Sequence, residues 1–230
     1  MNETRDIVLA IETSALLGSV AIGRAGEVLE ETNFAEGLTG GRELVPAIDR
    51  LVARHAGAKS RIGLVAVTLG PGSYTGTRVG VTAAKSLASF LGAPAVGLSS
   101  LEVIAHNLAP ADRPVAPVLD ARRGMVYVAV FEPAAGAWRR RSPDSVIVPS
   151  RLREIVPADA IVVSDAGTRY EAELAAWECV GDPALARPRA SKLLPLGWAM
   201  RKAGRSVDPL ELRPVYLRLS EAEERLKFNL

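Results

Sequence analysis

The feature that most constrains the fold is a pattern that occurs twice along the chain. In each half, a continuous apolar run ends in an acidic residue, at Glu12 in the first half and at Asp120 in the second. A tight turn and another apolar run follow each acidic residue. Continuous apolar runs of this length are typical of strands that are buried on both faces of a sheet. The sequence therefore predicts two sheets of related design.

Around this repeat, the hydrophobic pattern alternates between strand and helix periods. The first half predicts strands at 7–11, 19–23, 27–34, 64–69 and 95–98, a helix from Arg42 and a helix ending near Leu91. The second half predicts strands at 115–119, 125–131, 138–141 and 160–163, and helices at 168–177, 191–203 and 220–230. Prolines around residue 110 mark a boundary between a lobe of residues 1–109, on which a terminal helix at about 212–230 is expected to pack, and a lobe of residues 110–211.

A duplicated unit of this kind is the architecture of the actin-like (ASKHA) superfamily, which includes sugar kinases and Hsp70 chaperones. We therefore predict an α/β, actin-like two-lobed fold, in which a mixed-sheet unit flanked by helices is duplicated. In that class the two acidic strand ends face each other across a cleft that holds a nucleotide. The residues that would line a vestigial form of this cleft are Glu12, Thr13, Gly70, Ser73 and Asp120.

Composition excludes several other classes of protein. The 230 residues are 48% hydrophobic and 23% charged, which is ordinary for a globular chain and unlike a disordered one. A single cysteine, Cys179, excludes an intramolecular disulfide and a cysteine-based zinc site, and we expect it to be buried. The net charge of +2 is smaller than that of a dedicated nucleic-acid-binding domain. No apolar stretch approaches the ~18 residues that span a bilayer, so we expect a cytoplasmic protein without a membrane contact.

The segment GPGSYTGTRVG, at residues 70–80, supports three interpretations. A glycine-rich turn before a helix can hold a phosphate with its backbone amides, although no Gly-Lys-Ser/Thr follows as in a P-loop. Small residues also recur every four positions and would form a ridge along one helix face. Because glycine inside a helix costs about 1 kcal/mol relative to alanine, the ridge indicates that another backbone approaches closely. That backbone belongs either to this chain or to another subunit.

Five segments in order carry a resemblance to a known family: IVLAIETSALLGSVAI, VAVTLGPGSYTGTRVGVTAAKSLA, PAVGLSSLEVIA, VLDARRGMVYVAVF and RPVYLR. Together they resemble the TsaB family, also called YeaZ, whose members take part in the synthesis of threonylcarbamoyladenosine in bacterial tRNA. The resemblance is dense over residues 7–132 and thinner beyond, with residues 213–218 as a second anchor. Its most specific part is GPGSYTGTRVG followed by DARRG.

The resemblance implies a non-catalytic partner or scaffold subunit, required by the related TsaD when TsaD transfers a threonylcarbamoyl group to N6 of the adenosine 3′ of the anticodon. It implies a homodimer when the chain is alone, a complex with TsaD that TsaE then joins, and contact with tRNA only through that complex. It also implies that the chain carries no cofactor. The metal-binding His-x-Glu-Gly-His motif of TsaD aligns with residues 100–104, where both histidines are absent. The alternatives are an actin-like enzyme that binds and hydrolyses ATP and a metallopeptidase, against which the missing ligands argue.

The family also implies where the subunits meet, namely on the small-residue ridge and the first long helix. The predicted interface residues are Gly72, Gly76, Gly80, Ala84, Pro46 and Arg50. Many relatives have a His-Ser/Thr pair ahead of that helix, where this chain has Gly40 and Gly41.

A short basic run next to Trp138, formed by Arg139, Arg140 and Arg141, is the best candidate for a contact with tRNA phosphate. The alternative for these arginines is an ordinary solvated strand edge.

Overall fold

Two mixed sheets with the same strand order form the framework of the protein. The computed structural model describes residues 5–34, 40–56, 61–109 and 111–218. The first sheet contains β1 (Ile7–Glu12), β2 (Ser19–Arg24), β3 (Glu27–Asn33), β4 (Ile62–Thr68) and β5 (Ala95–Leu98). Its order is β3-β2-β1-β4-β5, with the first two pairings antiparallel and the last two parallel.

The second sheet repeats this design. It contains β6 (Val115–Asp120), β7 (Val126–Val128), β8 (Phe131–Ala134), β9 (Ala137–Arg140), β10 (Ser145–Ile147), β11 (Ile161–Ser164) and β12 (Glu178–Val180). The order β10-β7-β6-β11-β12 again has two antiparallel pairings followed by two parallel ones, and the β8–β9 hairpin is attached through β6. The matching order confirms the predicted duplicated, actin-like α/β fold.

Helices cover both faces of the first sheet because its central strand β1 is fully buried. On one face lie α1 (Gly40–His55) and α2 (Tyr74–Leu91), whose apolar side chains join one core with Ile7, Leu9 and Ile11. On the other face lies α5 (Ala190–Lys202), which packs with Val8 and Ala10. The sequence places α5 with the second lobe, but the structure packs it on the first sheet, since the helices of the first half cover only one face of that sheet.

A short buried helix, α3 (Ser100–Ala105), lies between the two sheets. Leu101 and Ile104 pack into the core of the second sheet, whereas Val103 packs into the core beneath α5. Ser99 caps the helix by accepting hydrogen bonds from the backbone amides of Leu101 and Glu102. The helix α3 is therefore shared between the hydrophobic cores of the two lobes.

The other face of the second sheet is covered by a 3-10 helix (Pro149–Glu154) and α4 (Glu171–Leu174). The predicted helix at 168–177 is therefore much longer than α4, and the predicted strand at 125–131 is divided between β7 and β8. Cys179 is exposed in the edge strand β12, so its predicted burial is wrong. The predicted helix at 220–230 lies outside the described residues. Among the residues that are described, no helix is long and apolar enough to cross a membrane.

Candidate functional site

The carboxylate of Glu12 lies at the end of β1, next to the space between the lobes, and is fully buried. One carboxylate oxygen accepts hydrogen bonds from the Ser14 amide at 2.6 Å, the Ser14 hydroxyl at 2.8 Å and the Ala15 amide at 3.0 Å. The other oxygen accepts a hydrogen bond from the Thr68 hydroxyl. Burial raises the pKa of Glu12, although these hydrogen bonds oppose the shift. Glu12 therefore closes the turn after β1.

The small-residue ridge on α2 packs against that same turn. A Cβ atom on Gly76 would lie 2.0 Å from the Thr13 carbonyl oxygen, and one on Gly80 would lie 2.1 Å from the Thr13 hydroxyl oxygen. The Thr13 hydroxyl in turn donates to the Gly76 carbonyl at 2.7 Å. Close backbone approach is therefore needed inside the chain, which is the first of the two interpretations of the ridge.

This packing corrects part of the predicted interface. Gly80 and Ala84 are buried by the chain itself, and Gly72 lies against the backbone of Ser14, where a Cβ would be 2.3 Å from the carbonyl oxygen. Because Gly80 and Ala84 are buried in the chain's own packing, a second subunit cannot reach them, and the predicted interface is wrong at these two positions. Gly72 is exposed and Gly76 is half-buried, so their role in an interface stays a prediction. Pro46 and Arg50 are exposed on α1, and their role in an interface stays a prediction.

The loop from Gly70 to Ser73 is likewise used within the chain. The Ser73 amide donates to the Ser14 carbonyl at 2.7 Å, and the Ser73 hydroxyl caps α2 by accepting from the Gly76 amide. A Cβ on Gly70, which has φ +96°, would lie 3.0 Å from the Val215 carbonyl oxygen. Because the Ser73 and Gly76 amides already have partners and the fully buried Glu12 carboxylate is hydrogen-bonded within the chain, these groups do not fit the nucleotide or metal that the fold class implies.

In the second lobe, two acidic side chains occupy the ends of neighbouring parallel strands. Asp165, which follows β11, accepts a hydrogen bond from the Asp120 amide at 3.0 Å. Asp120 pairs with Arg169 at 2.7 Å and accepts from the Arg122 amide at 2.8 Å. Burial, together with the nearby charge of Asp120, raises the pKa of Asp165. Asp165 was missed by the sequence analysis, although its position after the strand at 160–163 parallels that of Asp120.

Asp120, Arg122 and Asp165 line a cleft of about 1110 Å³ between the lobes. The segment 213–218 crosses it. The Val215 amide donates to the Leu69 carbonyl at 2.7 Å in the first lobe, and the Arg218 guanidinium donates to the carbonyls of Ala121 and Arg122 in the second. Tyr216 stacks on Tyr74 with ring centroids 4.6 Å apart. The RPVYLR segment, residues 213–218, thus contacts both lobes at the mouth of the cleft.

The remaining candidate residues lie apart from the cleft. Arg139 pairs with Glu132, and Arg140 pairs with Asp144 at 2.6 Å and Glu102 at 3.1 Å, so phosphate contact by this basic run stays a prediction. The Ser100 hydroxyl, at the start of the segment that aligns with the metal motif, lies 2.7 Å from the Ser14 hydroxyl.

The histidines also lie in local contacts. His55 contacts Glu30 at 2.6 Å, and His106 caps the end of α3. Within the described residues, no group of three or more His, Cys, Asp or Glu side chains is arranged to hold a metal ion.

Comparison with known proteins identifies relatives over nearly the whole chain. Residues 41–174 match the family model described as TsaD: tRNA N6-adenosine threonylcarbamoyltransferase. The "tRNA threonylcarbamoyladenosine biosynthesis protein TsaB" of Bacillus subtilis is 34% identical, with 95% of this chain and 96% of the relative covered. The protein of the same name from Escherichia coli is 28% identical, with 95% and 97% covered.

The solved structure of YeaZ from Pseudomonas aeruginosa superposes with a TM-score of 0.78 at 26% identity, covering 92% of this chain and 100% of that one. A second Pseudomonas aeruginosa structure, described as an uncharacterized protein with similarity to peptidase YEAZ, gives a TM-score of 0.81 at 25% identity, covering 93% and 100%. Sequence similarity and fold thus agree over the same length of chain. The chain belongs to the TsaB (YeaZ) family of tRNA threonylcarbamoyladenosine biosynthesis proteins.

Proposed function

We propose that the chain acts in tRNA threonylcarbamoyladenosine biosynthesis as a non-catalytic partner subunit of a TsaD transferase. The observation that carries this proposal is the environment of Glu12. Its two carboxylate oxygens accept four hydrogen bonds from this chain, and its side chain is fully buried. A fully buried carboxylate that accepts these hydrogen bonds stabilises the turn and is shielded from a hydrated metal ion in the cleft.

The helix α3 supports the same proposal. In the related TsaD, the aligned segment carries metal-binding histidines. Here Ser100, Leu101 and Ile104 occupy that segment and are completely buried in the cores of the lobes. Serine hydroxyls and aliphatic side chains do not make a metal site for group transfer. The transfer chemistry is therefore assigned to the partner, and the contribution of this chain is assembly.

The outward faces of α1 and α2 suit an assembly role. Val45 is 60% exposed and Phe90 is 82% exposed, and both helices cover the same face of the first sheet. Pro46 and Arg50 are exposed beside Val45. Exposed apolar side chains on a helical layer favour a protein contact. We assign this layer to pairing with TsaD, with TsaE joining the pair, and to a homodimer when the chain is alone.

Co-purification with TsaD from the same genome tests the proposal. We expect wild-type chain to form a complex, and Val45→Glu to weaken it at least tenfold because a charge is placed against an apolar partner surface. Val148→Glu, at a 41% exposed position in the second lobe, is the matched control and should bind as wild type. If wild-type chain forms no complex with TsaD, the proposed function is wrong.

The alternative, an ATP-hydrolysing enzyme, draws on the size of the interlobe cleft, which has room for a nucleotide. Titration calorimetry of the isolated chain with ATP and Mg²⁺ separates the two functions. The scaffold proposal expects neither micromolar binding nor turnover. Binding with turnover that is lost in Asp120→Asn would favour the enzyme.

A further inference from the structure

We propose that the mouth of the interlobe cleft is an RNA-contact surface, in which the Arg122–Arg123 turn holds backbone phosphates and the Tyr74–Tyr216 pair receives a base. The inference rests on the proposed function for the identity of the RNA as tRNA. It differs from the sequence-based candidate, the basic run at 139–141, which lies in the second lobe at β9 and apart from the cleft.

Positive charge is concentrated at this cleft in a chain that is otherwise nearly balanced. Its lining includes four arginines and two acids: Arg122, Arg123, Arg187 and Arg218, with Asp120 and Asp165. Asp120 is paired with Arg169 at 2.7 Å, outside the lining, and with Arg122 at 3.5 Å, within it. The lining therefore presents a net positive field to an anionic ligand.

The turn that carries two of these arginines has an unusual backbone. Arg122, Arg123 and Gly124 are all left-handed, with φ values of 65°, 52° and 74°. Asparagine and glycine would adopt this conformation with less strain, so the arginines point to a role for their side chains. The Asp120 carboxylate and the Arg218 guanidinium hold the turn through its backbone. The side chain of Arg122 is 69% exposed at the cleft mouth.

Aromatic faces stand beside these arginines. Tyr74 is 39% exposed and Tyr216 is 44% exposed, although the two rings stack on each other. The guanidinium of Arg78 lies 5.3 Å from the Tyr74 ring centroid. A positively charged groove with exposed aromatic rings is the common design for binding a single-stranded nucleic acid, because each base can stack on a ring. An acidic peptide would use the arginines but would not need the rings, so we favour RNA.

The test is fluorescence anisotropy of a labelled tRNA anticodon stem-loop with the full chain at about 0.05 M salt, where phosphate contacts are least screened. Arg122→Asn/Arg123→Asn keeps residues that tolerate the left-handed turn. We expect it to weaken binding about tenfold and to reduce the salt-dependence slope by about 1.4, as for two phosphate contacts on a single strand. Arg139→Gln/Arg141→Gln removes the same charge elsewhere and should bind as wild type.

Tyr216→Leu tests the aromatic half of the surface, and we expect RNA affinity to fall about fivefold or more, in line with loss of one stacked base. Equal losses in the two arginine variants, or no binding by wild-type chain, would overturn the proposal. The proposal would also be overturned if Tyr216→Leu bound RNA as tightly as wild type and the chain bound poly-glutamate as tightly as RNA. That result would assign the surface to an acidic protein. Because these variants leave α1 and α2 unchanged, they should still bind TsaD, so failure here is distinguishable from failure of the proposed function.

Discussion

Substitution of Glu12 by alanine and by glutamine tests whether this residue stabilises the fold or serves a ligand. Alanine removes the acceptor for the amides of Ser14 and Ala15 and for the Thr68 hydroxyl. An unpaired buried donor costs about 1–3 kcal/mol, but the hydroxyls can rotate to other acceptors, and the Ser100 hydroxyl oxygen lies 2.7 Å from that of Ser14. With two amides left unpaired, we expect Glu12→Ala to lower the free energy of unfolding by about 2–6 kcal/mol.

Glutamine keeps the shape of the side chain and most of its contacts. Its amide oxygen can accept from Ser14 and Ala15, while its NH₂ group can donate to the Thr68 hydroxyl oxygen. The substitution also removes the cost of burying a charge. We therefore expect Glu12→Gln to lie within about 1 kcal/mol of wild type at pH 7, or to be more stable.

The pH dependence of stability provides an independent test of the role of Glu12. Burial raises the pKa of Glu12 above its ordinary value of 4.5, so the folded state binds the proton more tightly than the unfolded state. The free energy of unfolding contributed by Glu12 therefore falls as pH rises from about 4.5 through the folded-state pKa. Glutamine does not titrate, so the stability of wild type relative to Glu12→Gln should decrease over that interval.

Urea denaturation followed by circular dichroism at several pH values measures all three quantities. The reasoning would be refuted if Glu12→Ala were as stable as wild type. It would also be refuted if the free energy of unfolding of wild type, relative to that of Glu12→Gln, rose with pH. A large loss of stability in Glu12→Gln would likewise show that the negative charge itself is needed.

Two further predictions concern the contacts that join the elements of the first lobe. Gly76→Ala should lower the free energy of unfolding by about 1–3 kcal/mol because its Cβ would meet the Thr13 carbonyl oxygen, whereas Gly167→Ala, which has open space around it, should have little effect; thermal melts of both variants check this. Glu31→Gln should cost about 1 kcal/mol at pH 7, since the carboxylate accepts from the Ser191 amide at 2.9 Å and from its hydroxyl at 2.7 Å. Burial alone would raise the pKa of Glu31, but these hydrogen bonds outweigh burial and lower the pKa. The stability difference between wild type and Glu31→Gln should therefore persist above about pH 4.5 and disappear as pH falls through the lowered pKa. Urea titrations at both ends of this range measure that difference, and a constant value would contradict the prediction.

The sheets were predictable because their strands are continuous apolar runs with clear ends. The bounds of β5 agree with the sequence prediction to the residue, and those of β1 to within one residue. Agreement is poorer where the sequence pattern is ambiguous. The apolar run at 125–131 does not reveal that it divides into two strands, both of which pair with β6: β7 pairs at its end and β8 pairs at Val115.

The buried face of a helix and the residues that it contacts were harder to predict than the positions of the helices and strands. In α1 the apolar residues Leu44, Val45, Ile48, Leu51 and Val52 fall on one face at helical spacing, which predicts that all are buried. Val45 is nevertheless 60% exposed, because it lies at the margin of this apolar stripe. Spacing also identifies Gly76 and Gly80 as a site of close approach without saying what approaches. That the neighbour is Thr13 depends on the packing of α2 over the end of β1, which brings together residues more than sixty positions apart.

The position of α5 has a consequence for how the protein is made. Val8, Ala10 and Ala21 remain without cover on their side of the first sheet until α5 is available. About a hundred residues separate the end of β5 from the end of α5. At a synthesis rate of roughly 5–20 residues per second, a nascent chain exposes this apolar face for roughly 5–20 s. The N-terminal half is thus a candidate client for a ribosome-associated chaperone, and a fragment that ends before Ala190 should aggregate.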